Sequence, residues 1–394
     1  TREDLAKLPI LTKEEARKNS KALIATNVNR RQLISRRTSG TTGKSLHFHI
    51  GKEALAFQWA VWWRHRKRFG LELNEWHVNF TGELAIPAEQ EQPPFWRWNW
   101  PMHQALVSMQ QVTPAKARDI IQFLNQNDFG YYTGYSSIIH PLVVAARESG
   151  VTLRNRPRVI ATGGEPMHPW QRRDIQAYTG AVITDQYGFS ECCGNASDCP
   201  QLVYHEDFEF GILECVDPIR VDGQQVKGKI VCTGFASPEM PFIRYETGDI
   251  GIWDESQERC ACGRSSRILS SVEGRLNDYV LTPEGMWTKS FDYVFLDQSN
   301  VSEAQIIQDL PGEVTLKIVR RTEYSNKDEH LIRKNIRQWI SQELNVRFEY
   351  VQCIEREPSG KFRFVKSSLD VPSSQPSIQR ESTSTAAALG QLQL

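Results

Sequence analysis

A run of Ser, Thr and Gly that ends in a lysine, RTSGTTGKS, occupies residues 37–45. Small residues let backbone N–H groups converge on an anion, and the hydroxyls and the Lys44 ammonium add further donors. The run therefore predicts a phosphate-binding loop. A Walker A loop needs a glycine five positions before Gly43, and this chain has Thr38 there. A Walker-type loop, another kind of phosphate loop and an ordinary surface turn all remain open from this segment alone.

Cysteine and histidine occur in two short clusters on separate segments. Three thiolates and one imidazole suit tetrahedral Zn²⁺, and four protein ligands leave no open position for catalysis, so the pattern predicts a closed structural site. The alternative is four unconnected residues in turns, because free cysteine packs like a small hydrophobic residue. Either Cys192 or Cys193 could replace one ligand. The predicted zinc ligands are Cys199, His205, Cys260 and Cys262.

The composition excludes several classes of partner. Lys and Arg total 47, as do Asp and Glu, so no basic excess favours nucleic acid or an anionic membrane. The hydrophobic fraction of 40% predicts a soluble globular protein, and the length of 394 residues predicts two domains, or one large domain with an appendix. No apolar run approaches the ~18 residues of a membrane span. The eight cysteines form no dense disulfide framework, which favours a reducing cytoplasm.

The order of apolar runs and turns predicts an α/β fold that must position these residues. Apolar residues at helical spacing indicate helices over 57–69 and 114–128. Residues 156–191 read as strand, glycine loop, helix, strand and loop, which is typical of a mostly parallel sheet in a large N-terminal domain. Alternation over 208–253 predicts strands of a separate antiparallel sheet. The aromatic cluster FWRWNWPMH, at 95–103, is interpreted as core or as the lining of a pocket.

The last third of the chain changes character. Residues 301–366 predict two strands, a helix and a third strand, which together form a small mobile α+β domain. The final segment is rich in Ser, Pro, Thr and Gln and is predicted to be disordered. The predicted domains are 1–276, 277–370 and the tail 371–394.

Six short motifs follow one another in a fixed order. They are TSGTTGKS (38–45), GGEP (163–166), DQYGFSE (185–191), RYETGD (244–249), EGRLND (273–278) and PSGKFR (358–363). This ordered set resembles the adenylate-forming superfamily of acyl-CoA synthetases, peptide-synthetase adenylation domains and luciferases. Within it, the set is most similar to the phenylacetate–CoA ligase branch and its capsule-biosynthesis relatives, over residues 5–370.

The resemblance implies that ATP activates a carboxylic acid as an acyl-adenylate with release of pyrophosphate, after which a nucleophile displaces AMP. The predicted β- and γ-phosphate ligands are Thr38, Ser39, Gly40, Thr41, Thr42, Gly43 and Lys44. The residues predicted to border the adenine and acyl sites are Gly163, Gly164, Glu165 and Pro166. The predicted adenine pocket consists of Asp185, Gln186, Tyr187 and Gly188, with the Tyr187 ring on the base.

The same resemblance assigns the remaining site residues. Ser190 would reach a phosphate, and Glu191 would hold Mg²⁺, a hard cation suited to oxygen ligands. Lys361 would bridge the carboxylate and the α-phosphate, on a domain whose closure completes the site. The residues predicted to lie at the ribose or elsewhere along the nucleotide are Asp249, Arg264 and Arg275.

Two departures from the family pattern leave parts of the function open. The hinge position is Asn277, followed by Asp278, where the family has an acidic residue or Lys. The stretch after it lacks the glycine loop of CoA-binding relatives, so the acceptor could be CoA, an amine, a carrier-protein thiol or none. The segments 95–103 and 131–135 favour an aryl or planar acid. The competing hypotheses are a P-loop hydrolase or kinase and a non-catalytic, zinc-stapled relative.

Overall fold

The computed structural model describes residues 2–38, 46–87, 89–256, 259–275, 280–283, 287–288, 294–295, 300–356 and 362–369. The chain forms two compact units, one from Thr1–Arg275 with Glu355–Arg363 and the other from Leu276–Ile354 with Phe364–Leu394. Several predictions fall outside the described residues. They concern Ser39, Gly40, Thr41, Thr42, Gly43, Lys44, Asn277, Asp278, Lys361 and the tail 371–394.

The helices of the described chain lie mostly where the apolar spacing predicts them. They are α1 (Arg2–Leu5), α2 (Lys13–Lys18), α3 (Lys52–Arg68), α4 (Pro114–Gln126), α5 (Ser136–Glu148), α6 (Pro169–Thr179) and α7 (Asn326–Trp339). Within the described ranges, no helix is long and apolar enough to cross a membrane.

The first unit is built on a hairpin and one long sheet. The hairpin strands are β1 (Ile34–Arg37) and β2 (His47–Ile50). The sheet strands are β3 (His77–Thr81), β4 (Arg97–Asn99), β5 (Gln104–Ser108), β6 (Tyr131–Gly134), β7 (Val159–Gly163), β8 (Val182–Gly188), β9 (Asn195–Asp198), β10 (Tyr204–Glu206), β11 (Gly211–Arg220), β12 (Gln225–Gly234), β13 (Tyr245–Asp254) and β14 (Ile268–Arg275). Their order is β11-β12-β13-β14-β10-β9-β8-β7-β6-β3-β5-β4.

The sheet joins a parallel half to an antiparallel half. Strands β5, β3, β6, β7 and β8 are parallel, and every pairing from β8–β9 to β11–β12 is antiparallel. The prediction of a separate antiparallel sheet over 208–253 is therefore wrong. Strands β9, β10 and β14 connect the two halves through ladder hydrogen bonds, and alternation along one strand does not indicate which strand pairs with it.

Two apolar cores support the sheet of the first unit. Helices α4, α5 and α6 place Ile120, Ile139 and Ile175 in one core with the parallel strands. The hairpin and the antiparallel strands form the other, which includes Phe48 and Trp253. Burial of each such aliphatic or aromatic side chain contributes about 1.5–3 kcal/mol to the stability of the fold. The two cores therefore hold in place the strands that carry the candidate site.

The second unit is a small α+β unit, as predicted for 301–366. Its strands are β15 (Val280–Leu281), β16 (Trp287–Thr288), β17 (Val301–Leu310), β18 (Glu313–Arg320), β19 (Asn345–Tyr350) and β20 (Val365–Ser367). Four of them form a sheet in the order β19-β18-β17-β20, and the apolar face of α7 packs on it through Ile332 and Ile336. Regular alternation along β18 buries every second residue, which is why this segment was predictable.

Candidate active site

The predicted phosphate loop is the connection of an antiparallel hairpin. Strand β1 pairs with β2 from Ile34 opposite Ile50 to Arg37 opposite His47. The Thr38 backbone N–H donates to the Leu46 carbonyl, and the Leu46 N–H donates to the Thr38 hydroxyl, both at 3.0 Å. A Walker A loop instead connects a buried strand to the N-terminus of a helix. The P-loop hypothesis is therefore wrong for this chain.

The turns after the parallel strands bring the next motifs to one edge of the sheet. Parallel strands end at the same edge, where ligands of α/β sheets bind. Here β6 ends at Gly134, β7 at Gly163 and β8 at Gly188. A Cβ on Gly163 would lie 2.9 Å from the Gln186 carbonyl oxygen, and Gly164 has φ +80°. Glycine is thus required for GGEP to turn tightly against β8.

Glu165 of GGEP caps a neighbouring helix. Its Oε1 accepts from the Ser136 hydroxyl at 2.9 Å and from the Ser137 backbone N–H at 2.6 Å, and its Oε2 accepts from the Ser137 hydroxyl at 3.0 Å. Helix α5 begins at Ser136, so the carboxylate satisfies an N–H group that has no intrahelical partner. The contacts hold the loop after β7 against the helix that follows β6.

Asp185 of DQYGFSE supports its strand from the interior. Its carboxylate accepts from the Thr162 hydroxyl at 2.8 Å and from the Tyr204 hydroxyl. Burial raises the pKa of Asp185, and burial together with the Asp185 charge raises the pKa of Asp198 to about 7. The backbone N–H of Asp185 donates to Asp198 at 2.9 Å. These hydrogen bonds of Asp185 therefore attach β8 to β9 and β10.

Tyr187 and Asp249, from two different motifs, meet directly. The Tyr187 hydroxyl donates to Asp249 Oδ2 at 2.7 Å across a separation of 62 residues. Burial, followed by the Asp249 charge, raises the pKa of Tyr187 well above its usual value, so the phenol keeps its proton. The Tyr187 ring packs edge-on against Phe189 at 4.8 Å, and Gly248 allows the turn before Asp249 with φ +82°. An aromatic ring and a carboxylate are thus placed side by side.

Glu191, which follows Tyr187 closely in the sequence, is a buried carboxylate. It is 6% exposed, and the Tyr245 hydroxyl donates to its Oε1 at 3.3 Å. Ser190, immediately before it, is exposed. The Asp249 backbone pairs with that of Arg275 across β13 and β14, which brings the EGRLND motif alongside YETGD. Three motifs therefore converge on one region of the first unit.

The four predicted zinc ligands come together. Their ligand atoms all lie within 4.8 Å of one another. Cys199 Sγ is 3.8 Å from Cys260 Sγ, and Cys262 Sγ is 3.4 Å from His205 Nε2. Burial raises the pKa of the Cys199 thiol to about 11, and a bound cation would favour its thiolate. Three sulfurs and one imidazole nitrogen at these separations fit tetrahedral Zn²⁺.

The surroundings of the cluster agree with a closed metal site. Backbone N–H groups two residues further on donate to two of the sulfurs, from Gln201 to Cys199 at 3.3 Å and from Arg264 to Cys262 at 3.5 Å. His205 Nδ1 lies 3.2 Å from the Ser266 carbonyl, which fixes its tautomer with Nε2 towards the sulfurs. Cys192 and Cys193, the alternative ligands, are buried in the second core instead.

Arg264 lies beside the cysteine cluster, in an ion pair with a buried carboxylate. Its guanidinium donates to Asp207 Oδ1 at 3.0 Å, and Asp207 also accepts from Arg64 at 2.7 Å. Asn195 and Ser197 donate to the other oxygen of Asp207 at 2.7 and 2.8 Å. These contacts tie Arg264 to helix α3 and to β9 beside the cysteine cluster, so no described contact supports its assignment to the nucleotide.

Comparisons with known proteins agree with the ordered motifs. Residues 283–368 match the family model of the CapK C-terminal domain. The chain is 24% identical to Protein CapK of Staphylococcus aureus over 369 residues, 92% of this chain and 80% of that protein. It is 27% identical to phenylacetate-coenzyme A ligase of Thermus thermophilus over 128 residues, 30% of this chain and 28% of that protein. Both similarities agree with the resemblance of the ordered motifs to the adenylate-forming superfamily.

The two relatives agree with the predicted similarity to the phenylacetate–CoA ligase branch and its capsule-biosynthesis relatives. The fold agrees with that of 2-hydroxyisobutyryl-CoA ligase, solved in the postadenylation state in complex with R3-HIB-AMP. The TM-score is 0.69 at 19% identity, over 92% of this chain and 80% of that one. The predicted α/β fold with a small C-terminal domain is confirmed.

Sequence patterns missed several residues that organise the candidate site and its surroundings. Tyr245 contacts Glu191, although it lies inside the RYETGD motif and was available as a candidate. Arg244 of the same motif pairs with Glu214 at 3.1 Å and donates to backbone carbonyls of the N-terminal segment, so it anchors the start of the chain. Asp207 gives no signal in the sequence, because an acidic residue in HEDFEF is indistinguishable from an exposed one.

Proposed function

We propose that this protein is an ATP-dependent ligase that activates a carboxylic acid as an acyl-adenylate with release of pyrophosphate, and then transfers the acyl group to a nucleophile. The observation that carries the proposal is the hydrogen bond between Tyr187 and Asp249, at the edge where the parallel strands end. A flat ring beside a carboxylate can receive an adenine base on the ring and a ribose hydroxyl on the carboxylate. The geometry thus suits an adenosine nucleotide.

The phosphate part of the proposal rests on charge. A carboxylate and a triphosphate repel each other, so catalysis requires cations and N–H donors that are already in place. The buried Glu191 carboxylate offers the oxygen ligand that Mg²⁺ prefers, with the phosphate oxygens completing its shell. When bound, the metal would neutralise phosphate charge. Thr38 stands at the base of the hairpin loop that we propose receives the β- and γ-phosphates.

For the carboxylic acid and the acceptor nucleophile we propose a chemical class rather than a single compound. Trp96 and Trp98 pack on Phe123 against the first core, whereas Trp100 is 65% exposed, so the aromatic cluster gives no support for a pocket. Tyr135 is half-buried immediately before α5, whose first turn Glu165 caps, and its ring favours an aryl acid. We propose CoA as the first acceptor to test, with an amine or a carrier-protein thiol as the alternatives.

The deciding experiment is isotope exchange. Purified protein with Mg²⁺, ATP and labelled pyrophosphate should form labelled ATP only when a suitable carboxylic acid is added. The acids to screen are phenylacetate, benzoate, 2-hydroxyisobutyrate and further aryl acids. Release of ADP and phosphate in place of exchange would contradict the proposal, and mass spectrometry with CoA or amines identifies the acceptor. Protein with Glu191→Gln serves as the matched negative control.

Two substitutions at Tyr187 separate its ring from its hydroxyl. We expect Tyr187→Ala to weaken ATP binding about tenfold to a hundredfold, because stacking on a base is worth roughly 1–3 kcal/mol. Tyr187→Phe keeps the ring and removes one hydrogen bond of about 1 kcal/mol, so binding should change less than about fivefold. Calorimetric titration with ATP measures both. Equal losses in the two variants would mean that the hydroxyl, and not the ring, is what matters.

A further inference from the structure

Helix α3 carries three polar side chains along one face. Gln58, Trp62 and His65 are spaced at i, i+4 and i+7, so they lie one above the other on the helix. Gln58 and His65 are 2% and 1% exposed. Buried positions with this spacing usually hold apolar residues, and a buried polar group costs free energy unless it forms a hydrogen bond. These side chains therefore need partners inside the first unit.

Two of these side chains bind neighbouring strands of the sheet. His65 Nε2 lies 2.8 Å from the Thr184 hydroxyl on β8, and burial lowers the pKa of His65 to about 4, so its ring is uncharged near neutral pH. Trp62 Nε1 donates to Asn195 Oδ1 on β9 at 3.3 Å. Strands β8 and β9 pair with each other, and the connection between them completes the DQYGFSE motif. Helix α3 is therefore attached to the sheet on both sides of that connection.

Gln58 binds the connection itself. Its side-chain Nε2 donates to the Phe189 backbone carbonyl at 2.8 Å. The same carbonyl accepts from the Cys192 backbone N–H at 3.2 Å, which closes a four-residue turn from Phe189 to Cys192. A carbonyl oxygen has two lone pairs, and here both are used. Ser190 and Glu191 occupy the two central positions of this turn.

The end of the turn has an unusual backbone conformation. Cys192 has φ +56°, in the left-handed region that a residue with a Cβ seldom occupies. Such a conformation persists only where the surrounding structure determines it. Cys192 is buried in the second core, which holds the end of the turn, and Gln58 holds its beginning. Between these two points lies Glu191, a residue that is 6% exposed and accepts from the Tyr245 hydroxyl.

We propose that Gln58 is a positioning residue for Glu191, because its amide holds the Phe189 carbonyl and so fixes the turn that presents the carboxylate to Mg²⁺. This inference rests on the proposed function for the metal but not for the turn. A carboxylate ligand must be held where phosphate oxygens can bind the same cation, and groups that orient such ligands affect metal affinity. Gln58 donates to a backbone carbonyl and not to the carboxylate, so its effect reaches Glu191 through the turn.

The attachment of the turn is tested without any ligand, by hydrogen–deuterium exchange of the full chain. Gln58→Met keeps a long, unbranched side chain and removes the N–H donor. Amides of 190–193 should then exchange about fivefold faster or more than in the wild type, because the Phe189 carbonyl loses one of its two donors. Trp62→Phe is the matched control: it removes a donor from the same helix face and should leave 190–193 unchanged. Unchanged exchange in Gln58→Met, or equal acceleration in both variants, would overturn the proposal.

The effect on the cation is tested through the magnesium dependence of the reaction. With the best acid of the screen, the free Mg²⁺ concentration for half-maximal pyrophosphate exchange should rise about fivefold to tenfold in Gln58→Met, because a displaced carboxylate binds the cation less tightly. Binding of ATP without Mg²⁺, measured by calorimetry, should stay within about twofold of the wild type. Trp62→Phe should keep the wild-type requirement for Mg²⁺ even where it lowers stability.

The outcomes separate a positioning role of Gln58 from a merely structural one. A Gln58→Met protein that loses the same fraction of its exchange rate at every Mg²⁺ concentration would show a structural role and overturn the proposal. A Trp62→Phe protein with the same shift in Mg²⁺ requirement would do so as well. If the wild type shows no exchange with any acid, the proposed function and the role in magnesium binding fail together, and the deuterium experiment still decides whether Gln58 holds the turn.

Discussion

Replacing Lys361 by alanine is expected to lower carboxylate-dependent pyrophosphate exchange about 10²–10³-fold. The reaction brings a carboxylate onto a phosphate that also carries negative charge, and the ammonium would neutralise both. A charge pair 4 Å apart is worth about 4 kcal/mol at an effective dielectric constant of 20, which corresponds to a rate factor of about 10³. The measurement is the exchange rate at saturating ATP. The release of AMP from a supplied acyl-adenylate should be unaffected.

The control for this prediction is a lysine nearby in the sequence. Lys366 lies on β20, partly exposed, and Lys366→Ala should leave the exchange rate within about twofold. A Lys361→Ala protein that exchanges pyrophosphate at the wild-type rate would show that another cation performs adenylation. A protein that loses both half-reactions equally would indicate damage to the fold. The comparison of half-reactions therefore separates chemistry from stability.

The fold was predictable to the extent that its signals are local. Strand β18 and helix α7 bury residues at periods of two and about 3.6, and each pattern can be recognised without knowing its neighbours. The continuity of the long sheet could not be recognised in this way. The short strands β9 and β10, of four and three residues, make the connection, and neither shows a period long enough to detect.

The residues of the candidate site also differ in whether a local sequence pattern identifies them. The ordered motifs identified Tyr187 and Asp249 by residue type, and the four ligand residues of the cysteine cluster were found by spacing alone. The contact between Glu165 and the Phe362 backbone N–H was not predictable, because a backbone N–H carries no residue signature. Arg264 was assigned to the nucleotide from its motif, yet a buried carboxylate distant in sequence, Asp207, attracts it.

The cysteine cluster supplies the second large expected effect, on stability. We propose that Cys199, His205, Cys260 and Cys262 hold one structural Zn²⁺ per chain. Substitution of a ligand, as in Cys262→Ser, should abolish this stoichiometry and lower the free energy of unfolding by about 4 kcal/mol or more, as loss of a structural metal does. Elemental analysis and urea unfolding measure the two quantities. The loss should be smaller than in a zinc finger, because the two apolar cores of this unit fold around the site without help from the metal.

The matched control is Cys353→Ser, an exposed cysteine of the second unit that should change neither zinc content nor stability. The loops that carry the ligands also carry Arg264, whose contact with Asp207 reaches helix α3 and the strand next to β8. Removal of the metal by a chelator should therefore increase proteolysis at 199–205 and 259–264 before it affects ATP binding. If purified protein contains no zinc and added zinc leaves the unfolding midpoint unchanged, the four residues are only neighbours. A loss of ATP binding that precedes the local loosening would instead place the metal in the nucleotide site.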